Sequence, residues 1–114
     1  MSVYVLEGLR PWVIQRVSAV YIALFIFYLL FSGLTADNIG FDAWRGWLFQ
    51  PLNAVCMALF VLATLFHAWI GMRDVVLDYV SDIMLRILVL ALIMSALLGS
   101  GLWAFRALLL TVTG

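Results

Sequence analysis

Residues 87–105 read ILVLALIMSALLGSGLWAF, a run of 19 residues without a charged side chain. An α-helix that crosses the hydrocarbon core of a bilayer needs about 20 mostly apolar residues. Two further charge-free runs occupy residues 17–36 and 46–72, with lengths of 20 and 27 residues. The sequence therefore predicts three membrane-spanning helices, near residues 13–34, 52–74 and 84–108.

The composition of the whole chain agrees with a membrane protein and excludes several other classes. Hydrophobic residues make up 68% of the 114 residues, and the mean hydropathy is +1.20. A soluble domain of this length has too little interior to bury so many apolar side chains. The charges cancel, with six Arg, five Asp, one Glu and no Lys, so no basic surface indicates nucleic-acid binding. We predict one all-α integral membrane domain over residues 1–114.

Local signals define where the predicted helices begin and end. Polar and small residues at 33–40 predict a loop after the first span. Pro51 suits the first turn of the second helix, where a missing N–H costs nothing, and Ser81 and Asp82 are suitable N-caps for the third. Pro11 precedes the first span, so residues 1–11 are predicted to form a short arm outside the membrane.

The arginines indicate which way the spans run. A cytoplasmic N-terminus places four arginines inside and two outside, in agreement with the positive-inside rule. Trp44, Trp47 and Trp103 would then share the outer membrane interface. We therefore predict a cytoplasmic N-terminus and a C-terminus on the opposite side of the membrane.

Three helices make a thin bundle, and its apolar faces must pack against lipid or another chain. Ser95 and Gly99 lie four residues apart, and Gly101 is nearby. Small residues at this spacing allow a second helix to approach closely. The pattern predicts a helix contact on the third span.

Ionisable residues within a span are expensive in lipid and are therefore candidates for function. His67, the only histidine, lies six residues before Arg73, which is roughly 9 Å inside the predicted boundary. It either hydrogen-bonds a neighbouring helix or serves as an axial haem ligand, the usual role of imidazole in haem-binding helix bundles. One histidine cannot fill both axial positions, so a six-coordinate haem would need a second histidine from another chain.

Arg16 is a second candidate, at a similar predicted depth on the first helix. Its side chain either snorkels to the lipid headgroups or pairs with haem propionates. The second interpretation suits its permanent charge and forked donors. The residues alone leave both interpretations open.

The segment that follows the second span carries several charges. Asp74 and Asp78 lie seven and eleven residues after His67, so in a continuous helix both point within roughly 20° of the His67 direction. Tyr79 then points about 120° away. A tyrosine hydroxyl beside a carboxylate at the membrane surface is suited to a quinone head group, which needs polar donors at the mouth of an apolar cleft.

Two stretches together resemble a known family. The run His67-Ala68-Trp69-Ile70-Gly71-Met72, followed by Asp78-Tyr79-Val80, closely resembles the smaller membrane anchor of bacterial succinate:quinone oxidoreductase (succinate dehydrogenase). The first helix, with Arg16 in Val13-Ile14-Gln15-Arg16-Val17-Ser18-Ala19, is similar too. The likeness covers nearly the whole chain, and its specific part is the second-helix motif.

This resemblance implies a set of partners and cofactors. The chain would pair with a similar second membrane anchor. The two anchors would hold an iron–sulfur protein and a flavoprotein on the cytoplasmic face of a bacterial inner membrane, with the C-terminus of this chain in the periplasm.

One haem b would lie between the anchors, with His67 as the iron ligand from this chain and Arg16 on a propionate. Tyr79 would hydrogen-bond a ubiquinone carbonyl, with Asp78 close by. The chain would not be catalytic alone.

The residues alone leave three alternatives to this function open. The first is a fumarate-reductase-type anchor that works mainly in the reverse direction with menaquinone. The second is a purely structural anchor in which His67 has a structural role and no haem is bound. The third is a small proton-coupled transporter, which needs a carboxylate deep in a helix, and none of the charge-free runs contains one.

Overall fold

The computed structural model describes residues 3–113, with side-chain surroundings from Leu9 onward, and its regular structure is helical. Four helices follow one another: α1 Val3–Thr35, α2 Phe41–Phe49, α3 Pro51–Tyr79 and α4 Ile83–Thr113. The helical segments Leu9–Thr35, Pro51–Tyr79 and Ile83–Thr113 are long and apolar enough to cross a membrane. The predicted all-α fold with three membrane-spanning helices is confirmed.

The long helices extend beyond the predicted spans. α1 begins at Val3, so the predicted N-terminal arm is helical through Pro11, apart from residues 1–2, which lie outside the described residues. Charge-free runs mark only the part of a helix that crosses hydrocarbon, whereas backbone hydrogen bonding continues into the interfacial region. Hydropathy alone therefore does not define the helix ends.

Two of those local signals lie where the sequence predicts them. Pro51 is the first residue of α3. Before α4, Asp82 Oδ1 accepts a hydrogen bond of 3.0 Å from the backbone N–H of Met84, one of the N-terminal donors that has no partner within the helix. The turn between α3 and α4 is consequently short and well defined.

The short helix α2 was not predicted. Only residues 36–40 of the expected loop region are non-helical beyond α1, and the chain then forms the nine residues of α2. Leu48 on this helix is 1% exposed, and the rings of Trp44 and Trp47 stack with their centroids 5.7 Å apart. α2 contacts α3 and α4, so it covers one end of the membrane-spanning helices.

α3 is the central helix of the molecule. It packs against α1 on one side and α4 on the other, whereas α1 and α4 make no contact with each other within the described residues. The bundle is therefore open. α4 comes close to α3 at buried Gly101, where a Cβ atom would lie 2.6 Å from Leu65 Cδ1. Of the three small residues that predict a close helix approach, Gly101 therefore lies at a contact within this chain, whereas Ser95 and Gly99 are exposed.

Candidate functional site

His67 lies at the interface between α1 and α3. Its ring is half-buried, and its Nδ1 atom lies 3.2 Å from the hydroxyl oxygen of Ser18 on α1. Ser18 is 7% exposed, although hydroxyl side chains are usually solvated. The hydrogen bond therefore links the only histidine of the chain to a buried serine on the neighbouring helix.

Ser18 is itself held by its own helix. Its hydroxyl donates to the backbone carbonyl of Gln15, three residues earlier, over 3.0 Å. Bonding of this kind is common for serine within helices, because the side chain is short enough to reach the preceding turn. The serine oxygen consequently has both a proton acceptor and an imidazole nitrogen within hydrogen-bonding distance.

Gln15 places a second polar group near the same point. Its amide nitrogen lies 3.6 Å from the position that a Cβ atom would take on Gly71, one turn after His67. The amide oxygen of Gln15 is buried and has no hydrogen-bond partner among the described residues. A buried acceptor without a partner is uncommon, because it loses its bond to water and gains nothing in return.

Arg16 is exposed. It precedes Ser18 by two residues, so the two side chains point roughly 160° apart around α1. Their levels along the helix axis differ by only about 3 Å. Within this one chain, the structure brings Ser18 and not Arg16 into contact with His67.

The proposed quinone residues lie at the last turn of α3. The helix continues without a break to Tyr79, which satisfies the condition under which Asp74 and Asp78 share the face of His67. Asp78 is exposed, and Tyr79 is 83% exposed. Tyr79 follows His67 by about 18 Å along the helix axis, so the two form separate parts of any site.

Arg86 from α4 fixes the end of α3. Its Nε atom donates to the carbonyl of Val80 over 2.9 Å, and an Nη atom donates to the carbonyl of Leu77 over 3.2 Å. The last carbonyls of a helix have no partner within it, and a cation there also interacts favourably with the helix dipole. The segment that carries Asp78 and Tyr79 is therefore anchored to the start of α4.

Arg73 and Asp74 form a local ion pair on α3. The distance from an Nη atom of Arg73 to Oδ1 of Asp74 is 3.2 Å, and both side chains are partly exposed. Exposed pairs of this kind add little to stability.

A polar network that the sequence analysis missed joins the other end of the helices. Asn53 of α3 is 6% exposed. Its Oδ1 accepts a 2.6 Å hydrogen bond from the Tyr28 hydroxyl of α1, and its Nδ2 donates to the Trp47 carbonyl of α2 over 3.0 Å. The detectable signal was an amide at the start of an apolar span, where polar side chains usually find partners on another helix.

An apolar groove runs along the α1–α3 interface beside Ser18. Its volume is about 510 Å³, and Ser18 and Tyr21 are the polar members of its lining. The Tyr21 hydroxyl donates over 2.6 Å to the carbonyl of Cys56 on α3, so it is already occupied within the chain. The groove therefore presents mainly hydrocarbon.

Comparison with known proteins identifies the family. Residues 7–100 match the family described as succinate dehydrogenase/fumarate reductase transmembrane subunit. The chain belongs to this family. It is also 26% identical over 102 residues to the succinate dehydrogenase hydrophobic membrane anchor subunit of Coxiella burnetii (strain RSA 493 / Nine Mile phase I), a similarity that covers 90% of this chain and 89% of the relative.

The comparisons confirm the resemblance found in the sequence motifs. The matched region extends from α1 into α4 and includes the four predicted site residues. Together with the three apolar helices, it identifies a multi-pass membrane protein of the succinate dehydrogenase/fumarate reductase family. The roles of the individual residues stay predictions.

Proposed function

We propose that this chain is the membrane anchor of a succinate:quinone oxidoreductase, in which it provides one axial ligand to haem b and part of a ubiquinone pocket. The observation that carries the proposal is the position of His67. It is the only histidine of a family member, it lies within a membrane-spanning helix, and its Nδ1 atom is hydrogen-bonded to a buried hydroxyl.

The residues around His67 fit a haem. An imidazole with one nitrogen in a hydrogen bond keeps the other nitrogen for a metal, and such a bond commonly orients metal-binding histidines. The amide nitrogen of Gln15 lies near Gly71, one helical turn from His67, and the buried amide oxygen of the same side chain is an acceptor available to a further group at this site. Haem b supplies one-electron transfer when it is bound, and a histidine from a second membrane anchor would provide its other axial ligand.

Arg16 is proposed to hold a haem propionate. Its level on α1 is close to that of Ser18, and its exposed position leaves the guanidinium free to reach a group between this chain and a second anchor. A guanidinium is always charged and donates two parallel hydrogen bonds to a carboxylate. Arg16 would therefore keep an anionic propionate stable at the edge of the hydrocarbon region.

Tyr79 and Asp78 are proposed to bind the quinone head group. The Tyr79 hydroxyl is exposed at the end of α3 and would donate a hydrogen bond to a quinone carbonyl oxygen. This bond strengthens as negative charge develops on that oxygen during reduction. Asp78 is a neighbouring exposed carboxylate, which is suited to exchange protons with water at the membrane surface.

The proposed partner subunits would carry the flavin and the iron–sulfur clusters of the complex. Succinate oxidation needs a flavin and iron–sulfur clusters, and the single cysteine of this chain, Cys56, cannot ligate a cluster alone. We assign those groups to a flavoprotein and an iron–sulfur protein on the cytoplasmic side of the bacterial inner membrane. The N-terminus would be cytoplasmic and the C-terminus periplasmic, and the arginine distribution supports this orientation.

The replacement His67→Ala tests the proposal in the purified complex. It removes one axial ligand, so the absorption bands of low-spin haem b should disappear or change to a high-spin form. Thr64→Val is a matched control, because Thr64 is exposed on the same helix and its hydroxyl bonds only its own backbone, at the Phe60 carbonyl. A wild-type spectrum in the His67→Ala complex would instead support a structural anchor without a haem ligand.

A further inference from the structure

We infer that Ser18 is a positioning residue for His67, whose hydroxyl oxygen accepts the Nδ1 proton and so leaves Nε2 as the nitrogen that binds the haem iron. The inference rests on the proposed haem ligation and extends it to a residue on a different helix. It concerns one contact, the 3.2 Å approach of Ser18 Oγ to His67 Nδ1.

The number of available protons decides the direction of this hydrogen bond. A serine hydroxyl has one proton and two lone pairs, and a neutral imidazole has one N–H donor and one acceptor nitrogen. The Ser18 proton is directed to the Gln15 carbonyl, over the shorter distance of 3.0 Å. The serine oxygen therefore has a lone pair for His67, and the Nδ1 atom carries the imidazole proton.

The opposite tautomer would leave a proton without an acceptor. If Nε2 carried the proton, it would need a further acceptor, and His67 has no other hydrogen bond among the described residues. An unpaired polar N–H in an apolar environment is costly, because it loses its bond to water without replacement. The Nδ1–H tautomer pairs every proton of the two side chains and exposes the Nε2 lone pair, which is the form that a metal needs.

The burial and the helix-bound hydroxyl of Ser18 suit it to keep the imidazole ring in one orientation. Ser18 is buried and bonded to its own helix, so its oxygen cannot follow a rotation of His67. A hydrogen bond from the second ring nitrogen also makes a histidine ligand more basic, as it does for metal-bound histidines generally. Ser18 should therefore strengthen the bond to iron and favour its oxidised state.

A pair of equally shaped variants tests this inference in the intact complex. Ser18→Thr keeps the hydroxyl, whereas Ser18→Val is close in shape to that threonine variant and lacks the hydroxyl. Loss of the hydrogen-bond partner of a metal-bound histidine typically costs about 10–100-fold in metal affinity. In Ser18→Val, transfer of haem to apomyoglobin should accelerate about tenfold, and the haem midpoint potential should rise. Ser18→Thr should keep wild-type values for both measurements.

Further variants separate the failure of this inference from failure of the proposed function. Ser18→Ala provides a second hydroxyl-free form if valine prevents assembly, and Ser95→Ala is the control for a serine exposed on α4. If the hydroxyl-free variants keep the wild-type potential and haem-loss rate while His67→Ala loses its haem, the role of Ser18 is refuted and haem ligation stands. Equal changes in the threonine and valine variants would also refute it, because they would indicate packing alone. An unaltered spectrum in His67→Ala would refute the haem ligation itself.

Discussion

Replacing Asn53 with leucine should loosen the contact of three helices at the end of the molecule that α2 covers. The side chain is 6% exposed, and it makes one hydrogen bond to Tyr28 on α1 and another to the Trp47 carbonyl on α2. Leucine has a similar length and branching but makes neither bond. The change therefore isolates the polar network from a large change in packing.

The magnitude follows from those two bonds. Hydrogen bonds between membrane helices contribute about 0.6 kcal/mol on average and about 1.7 kcal/mol at most. The Trp47 carbonyl is among the last four of α2 and has no partner within that helix, so Asn53→Leu leaves it unsatisfied. We expect a loss of about 2 kcal/mol from the free energy of unfolding, which lies between the average and the maximum for two such bonds.

A double-mutant cycle identifies the contribution of the network. Tyr28→Phe alone should reduce the free energy of unfolding by about 1 kcal/mol, but it should cost almost nothing more in the Asn53→Leu background. Unfolding is measured by titrating the reconstituted chain with dodecyl sulphate in mixed micelles, with Thr64→Val as the control for a hydroxyl bonded only to its own helix. Additive effects of Tyr28→Phe and Asn53→Leu would refute the network.

Three further predictions concern single residues. Arg16→Leu leaves a propionate without its cation, so haem content or the haem midpoint potential should fall; wild-type values in the purified complex would indicate a snorkelling arginine. Tyr79→Phe should reduce quinone reduction roughly threefold or more when quinone is below saturation, with succinate oxidation by a soluble artificial acceptor unchanged. An unchanged ratio of these two activities would contradict the role of the tyrosine in quinone binding. Asp82→Ala removes the side-chain acceptor for the Met84 N–H and should lower the free energy of unfolding by about 1 kcal/mol, whereas no loss in the same titration would show that the cap is dispensable.

The number of membrane-spanning helices was predictable from the sequence because it depends on a length scale that the sequence contains. The hydrocarbon core is about 30 Å thick, and the charge-free runs of 19, 20 and 27 residues would extend about 28, 30 and 40 Å as helices, enough for one crossing each. His67 was also recognisable, because a single imidazole within an apolar span is costly unless it is used or paired. Pro51 and Asp82 mark helix starts through chemistry that acts within one turn.

Which surfaces face each other was decided by the tertiary structure. The membrane-spanning helices are apolar on all sides, so no polar face indicates which side packs against a neighbour. The central position of α3, the contact of Ser18 rather than Arg16 with His67, and the choice of Gly101 rather than Gly99 at the α3–α4 approach all depend on how the helices pack. The charge spacing of one chain determines how many times it crosses a membrane, whereas the partner of each polar side chain is determined only when the helices meet.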